Sequence, residues 1–508
     1  MISFAYSAAV NGIDACIIEV ETYISSGMPV FSIVGLPDAA VKESKDRVFA
    51  ALKNSGFDFP AKKITVNLAP ADLKKEGGIF DLPIAAGILA SCGKIKKEKL
   101  AGFCLAGELA LDGKIRKVKG ILPISLSLKN KGISDFIVPF DNRLEASVSG
   151  SVNVYAFKTL SETVKFINGE IRPAPFEYNG SDGINDDGAC AYDFSDIKGQ
   201  FSAKRAAEIA AAGAHNIIMS GPPGSGKTMI AKRIPGILPP MSFEESVETT
   251  KIWSVSGHSF SGGLIRNRTF RCPHHTVSAV ALAGGGVNPK PGEVSLAHNG
   301  VLFLDEFAEF RRDALEVLRQ PLEDKRITVS RAKSTISFPA SFMLVAAMNP
   351  CPCGNLGRKE KECVCNDYQI QKYKNKISGP LLDRIDIHIE VPALKVSEIT
   401  GAAGKGESSL KIKERVLKAR QIQAERFAGS AIYSNAAMSV KDIRKYCAVD
   451  GDAESFLNGV MEKLKLSARA YDRILKVART IADLEACPCV KTQHIAEAVR
   501  YREPGKNG

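Results

Sequence analysis

The chain has 508 residues, of which 45% are hydrophobic and 24% charged, with a formal net charge of +12. These values predict a soluble globular protein of roughly two to four domains, and the lack of a bilayer-length apolar run excludes a membrane partner. Twelve cysteines follow an N-terminus without a basic and then apolar leader, which predicts reduced thiols in the cytoplasm and makes any cysteine cluster a metal candidate. The positive balance is compatible with a polyanionic partner but is weak as a sole argument.

Residues 1–175 alternate β-prone runs with helical patterns. Segments starting at Cys16, Phe31, Lys63, Phe136 and Val152 read as strands, and Asp38 to Asn54 and Asp81 to Ala90 as helices. Three stretches, Ile33 to Ser44, Asn67 to Gly77 and Gly107 to Gly113, resemble the Lon-protease-like, or ribosomal S5 domain 2-like, domain that opens the magnesium-chelatase-like ATPases of the ComM/YifB family. The resemblance implies that fold without peptidase chemistry. Ile79 stands where the nucleophilic serine should be, isoleucine cannot form an acyl intermediate, and Gly120 to Ile124 holds no lysine. Lys74, Lys75 and Glu76 then read as a solvated turn or a remnant contact surface.

Residues 176–192 have linker composition, rich in Gly, Asn and Asp. An alanine-rich helix from Ala203 follows, and then Ile217 to Ser220 runs as a short strand into Gly221-Pro222-Pro223-Gly224-Ser225-Gly226-Lys227-Thr228. This is a complete phosphate-binding loop: Gly224 and Gly226 let N–H groups turn to phosphate, Lys227 reaches the β- and γ-phosphates, and Thr228 ligates Mg2+. Downstream, Val301 to Leu304 is a buried strand ending in Asp305 and Glu306, placed to hold Mg2+ and to polarise the attacking water. His274, His275 and His298 lack the companions of a metal site and read as interface or loop residues.

Arg326 to Phe338 has two β-prone arms around a basic centre and predicts a hairpin. Its Arg331 and Lys333 are candidate phosphate contacts of a nucleic acid, or simply solvated basic residues. The next strand ends at Asn349. Beyond it, Cys351, Cys353, Cys363 and Cys365 form two C-x-C pairs, which fit one tetrahedral Zn2+, reduced free thiols or a redox pair.

The ordered segments resemble AAA+ ATPases of the ComM/YifB family along essentially the whole chain. The resemblance implies an AAA+ core with a parallel sheet over 193–394 and a helical lid of the magnesium-chelatase C-terminal type over 395–508. It makes Asn349 the sensor 1 residue and Arg384 an arginine finger reaching a neighbour's nucleotide, against a capping or salt-bridged arginine. Arg469 becomes the sensor 2 residue, with Arg473 competing. It further implies an α/β multidomain ATPase using ATP and Mg2+, a hexameric homo-oligomer, and a DNA partner, single-stranded or branched. The implied activity is a helicase promoting branch migration during natural transformation. A magnesium-chelatase-type ATPase that remodels a protein partner is the alternative.

Overall fold

The computed structural model describes residues 2–502 except 180–191, 259, 261–262, 287, 332–333, 359–360, 394–405, 431 and 465. At Arg331 and Ser334 only the backbone is described. The chain divides into two compact units, Met1–Asp186 with Phe243–Arg266, and Asp187–Ser242 with Asn267–Gly508.

The first unit is built on strands β1 (Ile2–Asn11), β2 (Asp14–Ser25), β3 (Val30–Val34), β4 (Lys63–Ala69) and β5 (Phe103–Leu105). The short pair β6 (Glu108–Leu109) and β7 (Ile115–Arg116) precedes β8 (Asp135–Pro139) and β9 (Asn153–Phe157). Seven of these form one mixed sheet in the order β3-β4-β2-β1-β5-β8-β9. Strand β1, which the apolar runs do not reveal, lies within that sheet. Its inward positions carry Ser3, Ala5 and Ser7, small residues that disguise it in sequence but admit a close helix. That helix, Asp81–Ser91, is buried throughout, and it takes the Ser3 hydroxyl on the Gly87 carbonyl at 2.8 Å.

Helix Ala39–Asn54 starts where the Asp38 carboxylate accepts the Val41 N–H, an ordinary side-chain cap. Arg47 from this helix and the buried Asp81 make an ion pair at 2.6 Å, which the Ser44 hydroxyl joins. Ile79 is buried, and Lys75, which the charge pattern puts in a solvated turn, is buried as well. The Lys75 ammonium donates to the Pro70 carbonyl, and burial pushes its pKa down. Lys74 and Glu76 remain outside as a pair at 3.2 Å.

Helix Phe243–Ser256 falls within the span that reads as ATPase core, yet it packs with the first unit. The Ser254 hydroxyl donates to the buried Glu145 at 2.5 Å, Lys251 reaches Asp14 at 2.7 Å, and Val247 joins Leu122, Val148 and Leu264 in a small apolar cluster.

In the second unit, β10 (Ile217–Ser220), β11 (Phe270–Arg271), β14 (Val301–Leu304), β17 (Met343–Met348) and β18 (Ile387–Glu390) form a parallel sheet in the order β11-β14-β17-β10-β18. Hairpins β12 (Gly284–Gly285) with β13 (Lys290–Pro291), and β15 (Arg326–Arg331) with β16 (Ser334–Pro339), lie outside it. All residues of β14 and β17 are buried, as a parallel sheet covered on both faces requires. Alanine-rich helix Phe201–Gly213 shares one apolar core with β10, β17 and the C-terminal helices Ser409–Arg426, Ala468–Leu484 and Thr492–Arg500.

Candidate nucleotide site

Sheet register assembles the site. Ser220 lies opposite Met348 and Leu304 opposite Ala346, so the residues that follow these strands, Gly221, Asn349 and Asp305, emerge at the same edge of the sheet. Ligands bind at the carboxyl ends of parallel strands because the turns into the next helices open there.

The loop from Gly221 to Gly226 turns through left-handed glycines, Gly224 at φ +78° and Gly226 at φ +90°, and leads into helix Lys227–Ile237. Gly221 has no room for a side chain, since a Cβ would stand 2.2 Å from the Val391 carbonyl oxygen. Gln200 braces the loop from outside by donating to the carbonyls of Ser225 at 3.1 Å and Pro392 at 2.7 Å. The Lys227 ammonium folds onto the carbonyls of Gly221 at 2.6 Å and Pro222 at 2.9 Å. Burial pushes its pKa down and Asp305 partly offsets that, so the side chain is poised to exchange these neutral oxygens for phosphate.

Thr228 Oγ1 donates to Asp305 Oδ2 at 2.7 Å. Two hard oxygens side by side at the helix start fit Mg2+. Glu306 follows at φ +52°, a conformation uncommon outside glycine, with its N–H on Asp305 Oδ1 at 2.9 Å. Its carboxylate meets His275 Nδ1 at 3.0 Å, and the His275 ring lies 4.1 Å from that of His274. In sequence His275 is one more loop residue; no motif spacing ties it to Glu306, and only the pairing of β11 with β14 brings the segment after Arg271 to this edge.

Tyr373 escapes sequence reasoning for the same reason. It is buried in helix Asp367–Lys374, close to the Asn349 backbone. Burial, with Glu309, Cys351 and Glu306 nearby, pushes its pKa up to about 12, so it remains a neutral phenol.

The two remaining arginine candidates gather elsewhere in the unit. Arg384, 10% exposed, pairs with Glu323 and donates to the Pro380 carbonyl at 2.6 Å; its Nε has no hydrogen-bond partner among the described residues. Glu323 is held below the usual carboxylate range, first by its hydrogen bond to Arg384 and then, against burial, by the charges of Arg384, Arg469 and Arg319. Arg473, by contrast, is taken up by the buried Asp386, which also meets His215 at 3.1 Å. Burial alone would raise Asp386; His215 and Arg473 outweigh it and hold the carboxyl well below its usual range.

The four insert cysteines converge. Sγ of Cys351 lies 3.4 Å from Cys353 and 3.6 Å from Cys363, Cys353 and Cys363 are 3.6 Å apart, and Cys365 joins within 4.8 Å. A tetrahedron of zinc–sulfur bonds has edges of about 3.8 Å, so the cluster has the size of a four-thiolate zinc site. The nearby backbone of Asn355 holds the Cys353 thiol below its usual range, whereas burial and the neighbouring sulfurs push Cys363 and Cys365 up.

Hairpin β15–β16 is antiparallel from Arg326↔Pro339 to Arg331↔Ser334, with Ile327, Val329 and Phe338 buried along one face. Arg331 therefore closes its last described pair, while Lys333 lies outside the described residues.

Comparison with known proteins agrees with these features. Residues 193–399 match the family model "Magnesium chelatase, subunit ChlI", residues 20–142 match "Subunit ChlI of Mg-chelatase", and residues 406–502 match "Magnesium chelatase, subunit ChlI C-terminal". The chain is 46% identical to competence protein ComM of Haemophilus influenzae, over 99% of this chain and 97% of that protein. It is 42% identical to YifB of Escherichia coli K12, again over 99% of this chain and 97% of that protein. A shorter stretch, 27% of this chain and 24% of the other, is 29% identical to Lon protease 2 of Bacillus subtilis. With its phosphate loop, Asp305 and Asn349 on one sheet edge and relatives spanning its whole length, the chain belongs to the ComM/YifB family of magnesium-chelatase-like AAA+ ATPases.

Proposed function

We propose that the protein is a ring-forming ATPase motor of the cytoplasm, a hexamer that works on single-stranded or branched DNA and promotes branch migration in recombination. The observation that carries the reading is the separation of parts. Lys227, Thr228, Asp305, Glu306 and Asn349 share one sheet edge, whereas Arg384 is held by Glu323, a carboxyl that also feels the charge of Arg469. We take Arg384 to leave Glu323 for the nucleotide of a neighbouring copy.

In this reading Lys227 leaves the loop carbonyls for the β- and γ-phosphates, and Thr228 with Asp305 holds Mg2+, whose charge offsets that of the phosphates. Glu306 takes the proton of the attacking water, which Asn349 orients. Arg384 donates into the transition state from the next subunit, with Arg469 beside it. Opening and closing of that interface moves the β15–β16 hairpin, whose Arg331 and Lys333 grip DNA phosphates. Zn2+ on the four thiolates of the insert belongs to the same reading.

Forked or four-way DNA is expected to stimulate ATP hydrolysis. With about four phosphates neutralised, affinity for it should fall roughly a hundredfold between ~50 and ~200 mM salt. If such DNA neither binds nor stimulates hydrolysis at low salt, the DNA reading fails. The three matches to magnesium chelatase subunit models favour the second reading, a remodeller of a protein partner, and that result would leave it standing.

His275 restrains Glu306 in this scheme, because its hydrogen bond to the carboxylate holds that group away from the attacking water. Replacing it with alanine removes one hydrogen bond and is expected to raise turnover without DNA about fivefold. A steady-state ATPase assay checks this, and unchanged or lower basal turnover would show that the contact does not restrain the base.

A further inference from the structure

We propose that a zinc ion on Cys351, Cys353, Cys363 and Cys365 is the strut that holds the phosphate loop and Asn349 in place, so that metal occupancy sets nucleotide affinity. This rests on the zinc reading above and adds a regulatory consequence to it.

Three connections tie the cluster to the nucleotide site. The first is covalent, since Cys351 follows Asn349 by two residues at the end of β17. The second is a packing contact. Gly354 lies between the cysteine pairs at φ +78°, and a methyl group there would stand 2.7 Å from Pro223 Cδ and 2.9 Å from Pro223 Cγ. The turn of the first C-x-C pair therefore rests directly on the phosphate loop, with only a hydrogen atom's room to spare. The third runs through the helix that begins two residues after Cys365. Its buried Tyr373 lies close to the Asn349 backbone. Both ends of the cysteine segment thus lead to the elements that carry the phosphate loop and Asn349.

Little besides the thiols holds that segment in shape. Between Cys351 and Cys365 the described residues bury only Cys351, Gly354 and Asn355, and Val364 is 83% exposed. A loop without an apolar core takes its rigidity from the atoms at its centre, here four sulfurs gathered to the dimensions of a zinc tetrahedron. Softness and geometry select zinc over the magnesium used next door.

The test uses the full chain purified without chelators, metal analysis, binding of a fluorescent ATP analogue and thermal unfolding. About one zinc per chain is expected, and Cys365→Ser should lose it. That loss should weaken analogue binding about tenfold, the scale on which groups behind a bound ligand act. Because Cys365→Ser can act by destabilising the fold, Gly354→Ala is the decisive variant: it leaves all four sulfurs in place but presses on Pro223. It should keep its zinc while analogue binding weakens by a similar factor, whereas Gly357→Ala, a left-handed glycine of the same loop at φ +81° with nothing within 4 Å, should carry the same backbone strain and leave binding unchanged. Full zinc with unchanged binding in Gly354→Ala overturns the strut and leaves the zinc site standing. Less than about a tenth of a zinc per chain overturns both.

Discussion

Glu306→Gln is expected to bind ATP as the natural protein does and to turn it over about a thousandfold more slowly, within the range for removing a general base. Glutamine keeps the size and the left-handed backbone at this position but cannot accept a proton. Lys227 and Thr228, which the proposal assigns to phosphate and Mg2+, are untouched, so an ATP-analogue titration should be unchanged while single-turnover hydrolysis collapses. The same variant separates the two carboxylates of the strand end. Asp305 is bonded to Thr228 at 2.7 Å and is the proposed Mg2+ ligand, so Asp305→Asn should impair Mg2+-dependent binding as well as hydrolysis. A Glu306→Gln protein that retains more than about a tenth of its turnover would move the general base elsewhere.

Arg384→Ala should cost a similar factor, about a thousandfold in turnover, the magnitude associated with arginine fingers. The loss is expected to be curable in trans. An Arg384→Ala subunit has an intact phosphate loop and a Lys227→Ala subunit an intact arginine. Mixed rings therefore contain interfaces where a sound loop meets a sound finger. ATPase activity that rises on mixing two nearly dead proteins would be the signature, and mixtures that stay as inactive as their parts would refute the shared site. Because Arg384 also holds Glu323 and the Pro380 carbonyl, the variant's melting temperature must be compared with that of the natural protein. Arg384→Lys, which keeps the charge but not the forked donors, should recover little.

How much of the site is readable in sequence depends on chain distance. Gly221 to Thr228 is contiguous, and its chemistry follows from residue order because the turn and the helix start lie within one segment. Asp305 and Glu306 are readable because a buried strand that ends in acids leaves a local hydrophobic signature. The cysteines are recognisable as a group but not as a tetrahedron, since C-x-C spacing fits several chemistries until the sulfurs are seen at 3.4 to 3.6 Å. The choice between Arg469 and Arg473 is open along the helix. Sequence does not show that Asp386, just before β18, takes Arg473 into a buried ion pair.

Residue order alone is enough for the phosphate loop motif, the strand ending in Asp305 and Glu306 and the family to which the chain belongs. Local spacing and side-chain chemistry carry all of these. Whatever depends on pairing between distant strands and on packing came from the three-dimensional arrangement. It placed His275 on Glu306, Tyr373 behind Asn349, Gly354 against Pro223 and helix Phe243–Ser256 with the first unit. It also showed why β1 is a strand at all, because serine and alanine say little about a strand until the helix that needs their small size is packed against them. Registers and close packing are set by many residues at once, so no short stretch of the chain encodes them alone.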